Sequence, residues 1–357
     1  MDSMARIAAA TAVLLVGLLV ITPLDAQPTT NVSITRMTDA VSKGAVCLDG
    51  SPPAYYFDEG HGNGIDNWLI YLEGGGWCVN HTDCQERSHK GTGNSTRRLD
   101  NMSFYGIISQ SSTENPEFYS WNRIYVVYCD GSSFTGDMDA VDTAILSGSS
   151  AGGLAAMIHC DYYQELLPIT AKVKCLPIAS YFFHQENLPG RKGFDSVFEA
   201  LVTLHGSAKA LHPSCTSVMR PSLCFFPQYF LVYVKTPVFI AMSAFDKVQV
   251  SYNFFYEYQQ CLLSNSCTND QNEWIHELRR EFLVELPKSV PSHRGIWITN
   301  CVAHDLPYSW AMVGKMKTLG YKTFPETFDD WYFDRRHASV IDTSEDAKYC
   351  SSIGISP

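Results

Sequence analysis

The stretch "ILSGSSAGGLAA", residues 145–156, places three glycines and a pair of serines between two apolar runs. Residues 148–152 within it match the pattern Gly-x-Ser-x-Gly, in which a strand turns sharply into a helix and exposes a serine hydroxyl. Ser150 occupies the nucleophile position of that pattern. The alternative is a glycine-rich loop that only packs a helix on a sheet. The strand and helix predicted on either side favour a nucleophile.

Other short apolar runs, rich in valine, isoleucine and aromatic residues, are typical of strands buried in a parallel sheet. They are Trp68–Leu72, Ile124–Tyr128 and the apolar parts of "AILSGSS", "TPVFIAMSAFD" and "GIWITNCVAH". Apolar residues at helical spacing predict helices over residues 150–167 and 272–286. Strands that alternate with helices predict an α/β fold, with a mostly parallel central sheet flanked by helices.

A serine hydroxyl becomes a good nucleophile only when a base removes its proton. In folds of this kind the chain order is serine, then acid, then histidine. Among the downstream histidines, His304 directly follows a predicted buried strand, and Asp246 follows the strand before it. We therefore predict His304 as the base and Asp246 as the acid that orients it. The alternatives are a histidine packed near Cys301 and an aspartate that caps the following turn.

A Gly-rich loop follows the first predicted strand, as the oxyanion loop does in esterases. It reads "EGGGW" over residues 73–77. The backbone amides of Gly76, Trp77 and Ala151 are the predicted donors to the oxyanion. The Trp77 ring either lines the pocket or is a packed aromatic. This chemistry requires no cofactor or metal, and the chain has no Cys-x-x-Cys pair that would indicate zinc or thiol-redox chemistry.

The formal net charge of -11 argues against a nucleic-acid partner. It also provides no general attraction to an acidic polysaccharide, so such a substrate needs a local basic patch. The apolar run over residues 7–21 predicts a signal peptide, residues 1–26, that leaves one catalytic domain over residues 27–357. An uncleaved anchor is the alternative. We expect a secreted protein with no stable membrane association.

Twelve cysteines, an even number, predict disulfides in an oxidising compartment. The pairs close in sequence are Cys78/Cys84, Cys160/Cys175, Cys215/Cys224 and Cys261/Cys267, although the sequence alone leaves the connectivity open. Four Asn-x-Ser/Thr sites are possible glycan acceptors, at Asn31, Asn80, Asn94 and Asn101.

Five stretches resemble the plant pectin acetylesterases and, more distantly, the Notum-type carboxylesterases. They are "GHGNGIDNWLIYLEGGGWC", "YCDGSSFTGD", "SGSSAGGLAA", "CFFPQ" and "DWYFDRR". The resemblance implies an α/β-hydrolase-like fold, location in the cell wall and removal of acetyl groups from galacturonate residues of pectin. The family's serine, aspartate and histidine fall on Ser150, Asp246 and His304. The resemblance also implies the disulfides Cys47/Cys129 and Cys301/Cys350. Acetylated pectin is the expected partner, and we expect a monomer.

The sequence departs from the family most between its second and third predicted strands. Only residues 131–143 connect them, which is too short and polar for a crossover helix with its loops. We therefore expect one covering helix to be missing, so that an apolar sheet face is either exposed or covered by something else. "LPIASYF", residues 176–182, also lacks the family's usual Asp-Ala-Gly. Two alternatives to an active pectin esterase follow: a catalytically impaired, polysaccharide-binding protein and a Notum-like lipid-ester deacylase.

Overall fold

A ten-stranded sheet forms the centre of the protein. The computed structural model describes residues 31–134, 143–166, 172–185, 193–287, 293–304 and 323–350. The strands are β1 Asn31–Arg36, β2 Ala54–Asp58, β3 Trp68–Leu72, β4 Asn101–Ser103, β5 Asn122–Val126, β6 Thr143–Ser149, β7 Lys172–Ile178, β8 Val238–Ser243, β9 Arg294–Thr299 and β10 Ser339–Ile341. Their order is β10-β9-β8-β7-β6-β3-β5-β2-β1-β4. The seven strands from β10 to β5 pair in parallel, and β2, β1 and β4 continue the sheet antiparallel.

Helices cover the sheet, and buried residues form one core cluster on each face. The described helices are α1 Thr38–Val41, α2 His81–Ser88, α3 Ser150–Ile158, α4 Cys160–Glu165, α5 Gly193–His205, α6 Pro213–Thr216, α7 Pro227–Phe230, α8 Lys247–Asn253, α9 Tyr256–Ser264, α10 Asn269–Glu285 and α11 Phe324–Tyr332. Along β6, Ala144 and Leu146 point into one cluster and Ile145 into the other. A strand buried on both faces needs such a continuous apolar run. The mostly parallel, helix-flanked α/β fold is therefore confirmed.

The predicted elements match the structure to within a few residues, with two differences. β3 has the predicted bounds, whereas β5 begins and ends two residues before the predicted Ile124–Tyr128. The single helix predicted over residues 150–167 is two helices, α3 and α4, which are separated at His159. The last residue of that prediction lies outside the described part of the chain.

Six disulfides join all twelve cysteines. Four are the pairs close in sequence, and the other two are Cys47–Cys129 and Cys301–Cys350. Cys78–Cys84 follows the glycine-rich loop directly, and Cys301 lies three residues before His304. The chain is therefore cross-linked close to two of the predicted site segments.

The short connection after β5 joins strands that are not neighbours in the sheet. β3 lies between β5 and β6, which corrects the expectation that the two pair directly. Residues 135–142 of the connection, and with them the question of a crossover helix, lie outside the described residues. On one face of this region Trp68, Ile70, Ile124 and Val126 are only partly buried. Phe57 is 38% exposed and stacks on Trp68. An apolar strip of the sheet is therefore incompletely covered.

Candidate active site

Ser150 stands at the point where β6 becomes α3, in a left-handed backbone conformation with φ of 53°. Such a conformation is uncommon for a residue other than glycine and is typical of functional turns. The flanking glycines allow the close packing that the turn requires. A Cβ on Gly148 would lie 2.6 Å from the backbone of Gly152, and one on Gly152 would lie 2.4 Å from Leu72 O. The Gly-x-Ser-x-Gly spacing therefore has a steric cause at both glycines.

His304 and Asp246 lie just beyond the carboxyl ends of β9 and β8, which are adjacent strands of the sheet. His304 Nε2 is 2.9 Å from Ser150 Oγ, and His304 Nδ1 is 2.7 Å from Asp246 Oδ2. His304 is 9% exposed and Asp246 is 3% exposed. The structure thus brings the three predicted residues into a chain of hydrogen-bonding distances in which the carboxylate fixes the imidazole and the imidazole faces the hydroxyl.

Asp246 has two structural roles at once. Its Oδ1 accepts hydrogen bonds from the amides of Val248 and Gln249, both at 2.9 Å, and so caps the N-terminus of α8. Its Oδ2 faces His304. The capping role that seemed an alternative to a catalytic role therefore coexists with the contact to the histidine. Because the cap fixes one oxygen, the other is held in a single orientation towards the imidazole.

The glycine-rich loop presents free backbone amides beside the serine. The carbonyl of Gly75 accepts a hydrogen bond from Arg87 Nη1 at 2.6 Å, and that of Gly76 accepts one from the Tyr128 hydroxyl at 2.6 Å. Gly76 has φ of 65°. Within the described residues, the amides of Gly76 and Trp77 donate to no acceptor. The amide of Ala151 lies in the first turn of α3, where a helix has no internal acceptor. All three predicted oxyanion donors are thus available.

The Trp77 side chain belongs to the core and is 3% exposed, which rules it out as an open pocket wall. Its Nε1 donates to Ser133 Oγ at 2.9 Å, and Ser133 Oγ donates to Ala151 O at 2.8 Å. Ser133 therefore connects the glycine-rich loop to the start of α3. No local pattern in the sequence marks Ser133 as part of the site, although it lies within the family stretch "YCDGSSFTGD".

Glu73 anchors the start of the glycine-rich loop. It forms a two-pronged ion pair with Arg98, at 2.8 and 2.5 Å, and its Oε2 also accepts the amide of Tyr128 at 2.8 Å. Bidentate pairs of this kind fix geometry as well as charge. The loop is therefore held at its first residue, at two of its carbonyls and, through Trp77, at its last side chain.

One group in the described part of the chain has metal-ligand residue types at close range, namely Cys78, Cys84 and His205. The two sulfurs form a disulfide, so neither is a thiolate that would bind a metal. No described helix has the length and apolar character needed to cross a bilayer.

The strand order, with the serine at a strand-to-helix turn and its partners at neighbouring strand ends, defines an α/β hydrolase. The structure of the Wnt deacylase Notum from Drosophila has the same fold, with a TM-score of 0.73 and 18% identity over 88% of this chain and 97% of that chain. The family model for Pectinacetylesterase matches residues 25–144 and 137–350. This chain belongs to that family.

Curated relatives agree with the family assignment. Pectin acetylesterase 11 of Arabidopsis thaliana is 38% identical over 366 residues, which cover 91% of this chain and 92% of that protein. Pectin acetylesterase 7 of the same plant is 39% identical over 353 residues, with 87% and 90% covered. The palmitoleoyl-protein carboxylesterase NOTUM of Schmidtea mediterranea is 23% identical, over 80% of this chain and 60% of that protein.

The family match is interrupted at the short connection. Its two parts meet at residues 137–144, between β5 and β6. The alignment with Pectin acetylesterase 11 spans 366 residues although it covers 91% of a 357-residue chain, so the relative has residues without a counterpart here.

Proposed function

We propose that this protein is a serine esterase that removes acetyl groups from galacturonate residues of cell-wall pectin. The observation that carries the proposal is the contact of Ser150 Oγ with His304 Nε2 at 2.9 Å, beside three available backbone amides. Membership of the Pectinacetylesterase family and relatives named pectin acetylesterases support the choice of substrate.

The geometry supports a two-stage acyl transfer. His304 Nε2 takes the proton of Ser150, whose Oγ attacks the acetyl carbonyl carbon, and Asp246 stabilises the imidazolium that forms. The amides of Gly76, Trp77 and Ala151 stabilise the negative charge on the carbonyl oxygen. His304 then protonates the departing sugar oxygen. In the second stage His304 activates a water molecule, which releases acetate and restores Ser150.

The aromatic residues beside the triad favour a short acyl group. The ring of Phe182 lies 6.3 Å from that of His304 and 5.4 Å from that of Trp77. Phe194 and Phe198 pack edge-on against Trp77, and all four rings are buried. A long acyl chain on this side of the triad would have to displace these rings. The Notum-like lipid-ester alternative is therefore less well supported than acetyl removal.

The test measures acetate release from acetylated pectin by the purified protein. We expect release by the wild type and loss of it in Ser150→Ala. Ser149→Ala is the matched control, because the neighbouring Ser149 hydroxyl is buried and has no hydrogen-bond partner among the described residues. Equal rates for the wild type and Ser150→Ala would reject the proposal.

A fluorophosphonate probe separates an esterase from an impaired, polysaccharide-binding protein, the alternative that the short connection raises. Labelling that disappears in Ser150→Ala supports the enzyme. Pectin binding by a folded protein that remains unlabelled would support the binding protein instead.

We also propose that the protein acts outside the cell as a monomer, without stable attachment to a membrane. The six disulfides support an oxidising compartment. Sedimentation analysis of the secreted protein tests the monomer, and fractionation of the expressing cells tests the location.

A further inference from the structure

Arg87 places a positive charge directly against the glycine-rich loop. It lies in the last turn of α2, and its Nη1 donates to Gly75 O at 2.6 Å. Its Nη2 would lie 3.3 Å from a Cβ built on Gly76, the residue whose amide is a proposed oxyanion donor. The guanidinium thus contacts the loop that carries two of the proposed oxyanion donors.

In this guanidinium Nη1 has a hydrogen-bond partner, whereas Nη2 has none among the described residues. Nη1 is held by Gly75 O, and Nε lies 3.4 Å from Asp83 Oδ1. Nη2 forms no hydrogen bond within the described part of the chain. The Arg87 side chain is partly exposed, whereas its Nε is buried and has no hydrogen-bond partner within the described residues. The guanidinium is therefore anchored through Nη1, and its Nη2 has N–H donors that no described residue uses.

A local cation matters in a protein of net charge -11. Pectin is a polyanion, and the protein as a whole repels it. Arg98, the other cation beside this loop, is already paired with both oxygens of Glu73. The side chain of Arg87 is 21% exposed and that of its partner Asp83 is 34% exposed, so solvent and salt screen their pairing. Arg87 is thus the charge beside the loop that an incoming anion meets.

We propose that Arg87 binds the carboxylate of the pectin chain beside the acetyl group that Ser150 removes. This inference rests on the proposed function and assigns the recognition of the uronate to one side chain. Each galacturonate residue carries its carboxylate and its acetylated hydroxyls on the same ring, so the two groups are only a few bonds apart. A cation next to an oxyanion donor is therefore close enough to contact the carboxylate. Arginine suits the role because its planar fork donates two parallel hydrogen bonds to a carboxylate.

Tyr252 lies close enough to Arg87 for the two side chains to interact electrostatically. Burial raises the pKa of Tyr252, and the positive charge of Arg87 opposes that rise. The Tyr252 ring stacks on Phe194 at 4.5 Å and packs edge-on to Trp77. Arg87 therefore contacts the glycine-rich loop and lies near Tyr252, which packs against the aromatic cluster that flanks the triad.

The competing explanation is that Arg87 only holds the loop through Gly75 O. Loss of such an anchor would displace the oxyanion donors and slow the hydrolysis of every ester equally. Loss of a carboxylate contact would raise KM for substrates that carry the charge and affect neutral ones less. The ratio between charged and neutral substrates therefore distinguishes the two roles.

The first experiment compares acetylated oligogalacturonate with the same oligomer after methyl esterification of its carboxyl groups. Arg87→Gln removes the charge and, because its side chain is shorter, also the hydrogen bond to Gly75 O, whose loss should slow both oligomers alike. We expect it to lower kcat/KM on the charged oligomer by about 10-fold or more, mainly through KM, and to lower the charged-to-neutral ratio. Arg87→Lys should restore part of that ratio. An equal loss on both oligomers would overturn the proposal.

The control is Lys235→Gln, which removes an exposed cation before the amino end of β8, at the sheet edge opposite the site. We expect it to leave the charged-to-neutral ratio unchanged. If it lowers the ratio as much as Arg87→Gln does, the effect comes from overall charge and the proposal is wrong.

The second experiment separates this inference from the proposed function. Oligogalacturonate without acetyl groups is tested as an inhibitor of p-nitrophenyl acetate hydrolysis by the wild type and by Arg87→Lys and Arg87→Gln. We expect competitive inhibition that weakens with added salt and falls about 10-fold or more in Arg87→Gln. If the wild type shows this inhibition but releases no acetate from pectin, the substrate assignment fails and the carboxylate site stands. If it releases acetate but shows no charge-dependent inhibition, Arg87 is not the carboxylate site.

Discussion

Trp77 Nε1 donates a hydrogen bond to Ser133 Oγ at 2.9 Å, which joins residues 56 positions apart. Since Ser133 Oγ donates in turn to Ala151 O, one hydroxyl ties together both halves of the proposed oxyanion hole. This link also explains why Trp77 is buried although it belongs to a loop that faces the reaction.

Ser133→Ala tests this link. The change leaves a buried indole N–H without its acceptor, which costs about 1–3 kcal/mol of stability or loop order. We expect kcat for p-nitrophenyl acetate to fall about 10-fold, with a smaller change in KM. The unfolding midpoint and kcat are measured together. Unchanged kcat in a folded variant would contradict a role for Ser133 in aligning the amides.

Asp246→Asn separates the two roles of the carboxylate. An asparagine oxygen still caps α8, so we expect the variant to fold, but its NH2 group faces His304 Nδ1 and favours the wrong tautomer. The comparable change in a serine protease lowers kcat by roughly 10⁴, and we expect a loss of similar size here.

Asp246→Ala serves as the comparison, because it also removes the cap at a cost of about 1 kcal/mol. Thermal unfolding and esterase kinetics of both variants provide the measurement. If the two variants were equally stable and equally active, the dual role would be refuted.

Phe182→Ala tests the limit on acyl length. Removal of this ring opens space between His304 and Trp77, so we expect p-nitrophenyl butyrate and octanoate to gain relative to the acetate, by about 10-fold in the ratio of kcat/KM. A 10-fold shift in this ratio corresponds to roughly 1.4 kcal/mol of activation free energy. Loss of a buried phenylalanine costs more than this in folding stability, about 3–5 kcal/mol. Phe328→Ala, on the other sheet face, is the control for a general effect of core loss.

Asp329 predicts a pH dependence of stability that is separate from the site. Burial and the charge of Glu117 raise the pKa of Asp329 to about 7, from an ordinary value of 3.8, and no residue in the described part of the chain donates a hydrogen bond to its Oδ1. A carboxyl group whose pKa is higher in the folded state keeps its proton there while the unfolded chain loses it. The free energy of unfolding therefore falls as the pH rises from about 4 to about 7.

Asp329→Asn removes this titration. We expect the variant to gain stability over the wild type at pH 8 and to differ little from it near pH 4, as measured by urea unfolding at both values. A stability difference that is the same at both pH values would show that Asp329 does not titrate in this range.

The sequence predicted the parts of the fold that depend on long apolar runs. β6, β8 and β9 are buried on both faces, and they end near Ser150, Asp246 and His304, respectively. β7 was missed because Lys172 and Lys174 interrupt its pattern. Lys174 is buried nonetheless, since it pairs with Asp334 and lies over the Trp331 ring, 4.5 Å from its centroid. No local pattern anticipates such a contact between distant segments.

The candidate site also contains some residues that the sequence predicts and others that it does not. The glycine spacing around Ser150 is a local steric requirement and can be found in the sequence. Ser133 and Arg87 act through distant partners, Ala151 and Gly75, and their contacts depend on loop conformations such as the positive φ of Ser133, 61°. The roles of Ser133 and Arg87 therefore depend on tertiary contacts, which the sequence alone does not show.

The strip of sheet around Phe57 and Trp68 has a consequence during biosynthesis. Chaperones bind exposed apolar surface, so a newly synthesised chain with a partly uncovered apolar face stays bound to them for longer than one whose face is covered. The short connection after β5 would then limit how many molecules leave the producing cell before it limits the turnover of each one. Splicing in the longer segment of a relative should accordingly raise export yield while leaving the rate per active molecule nearly the same.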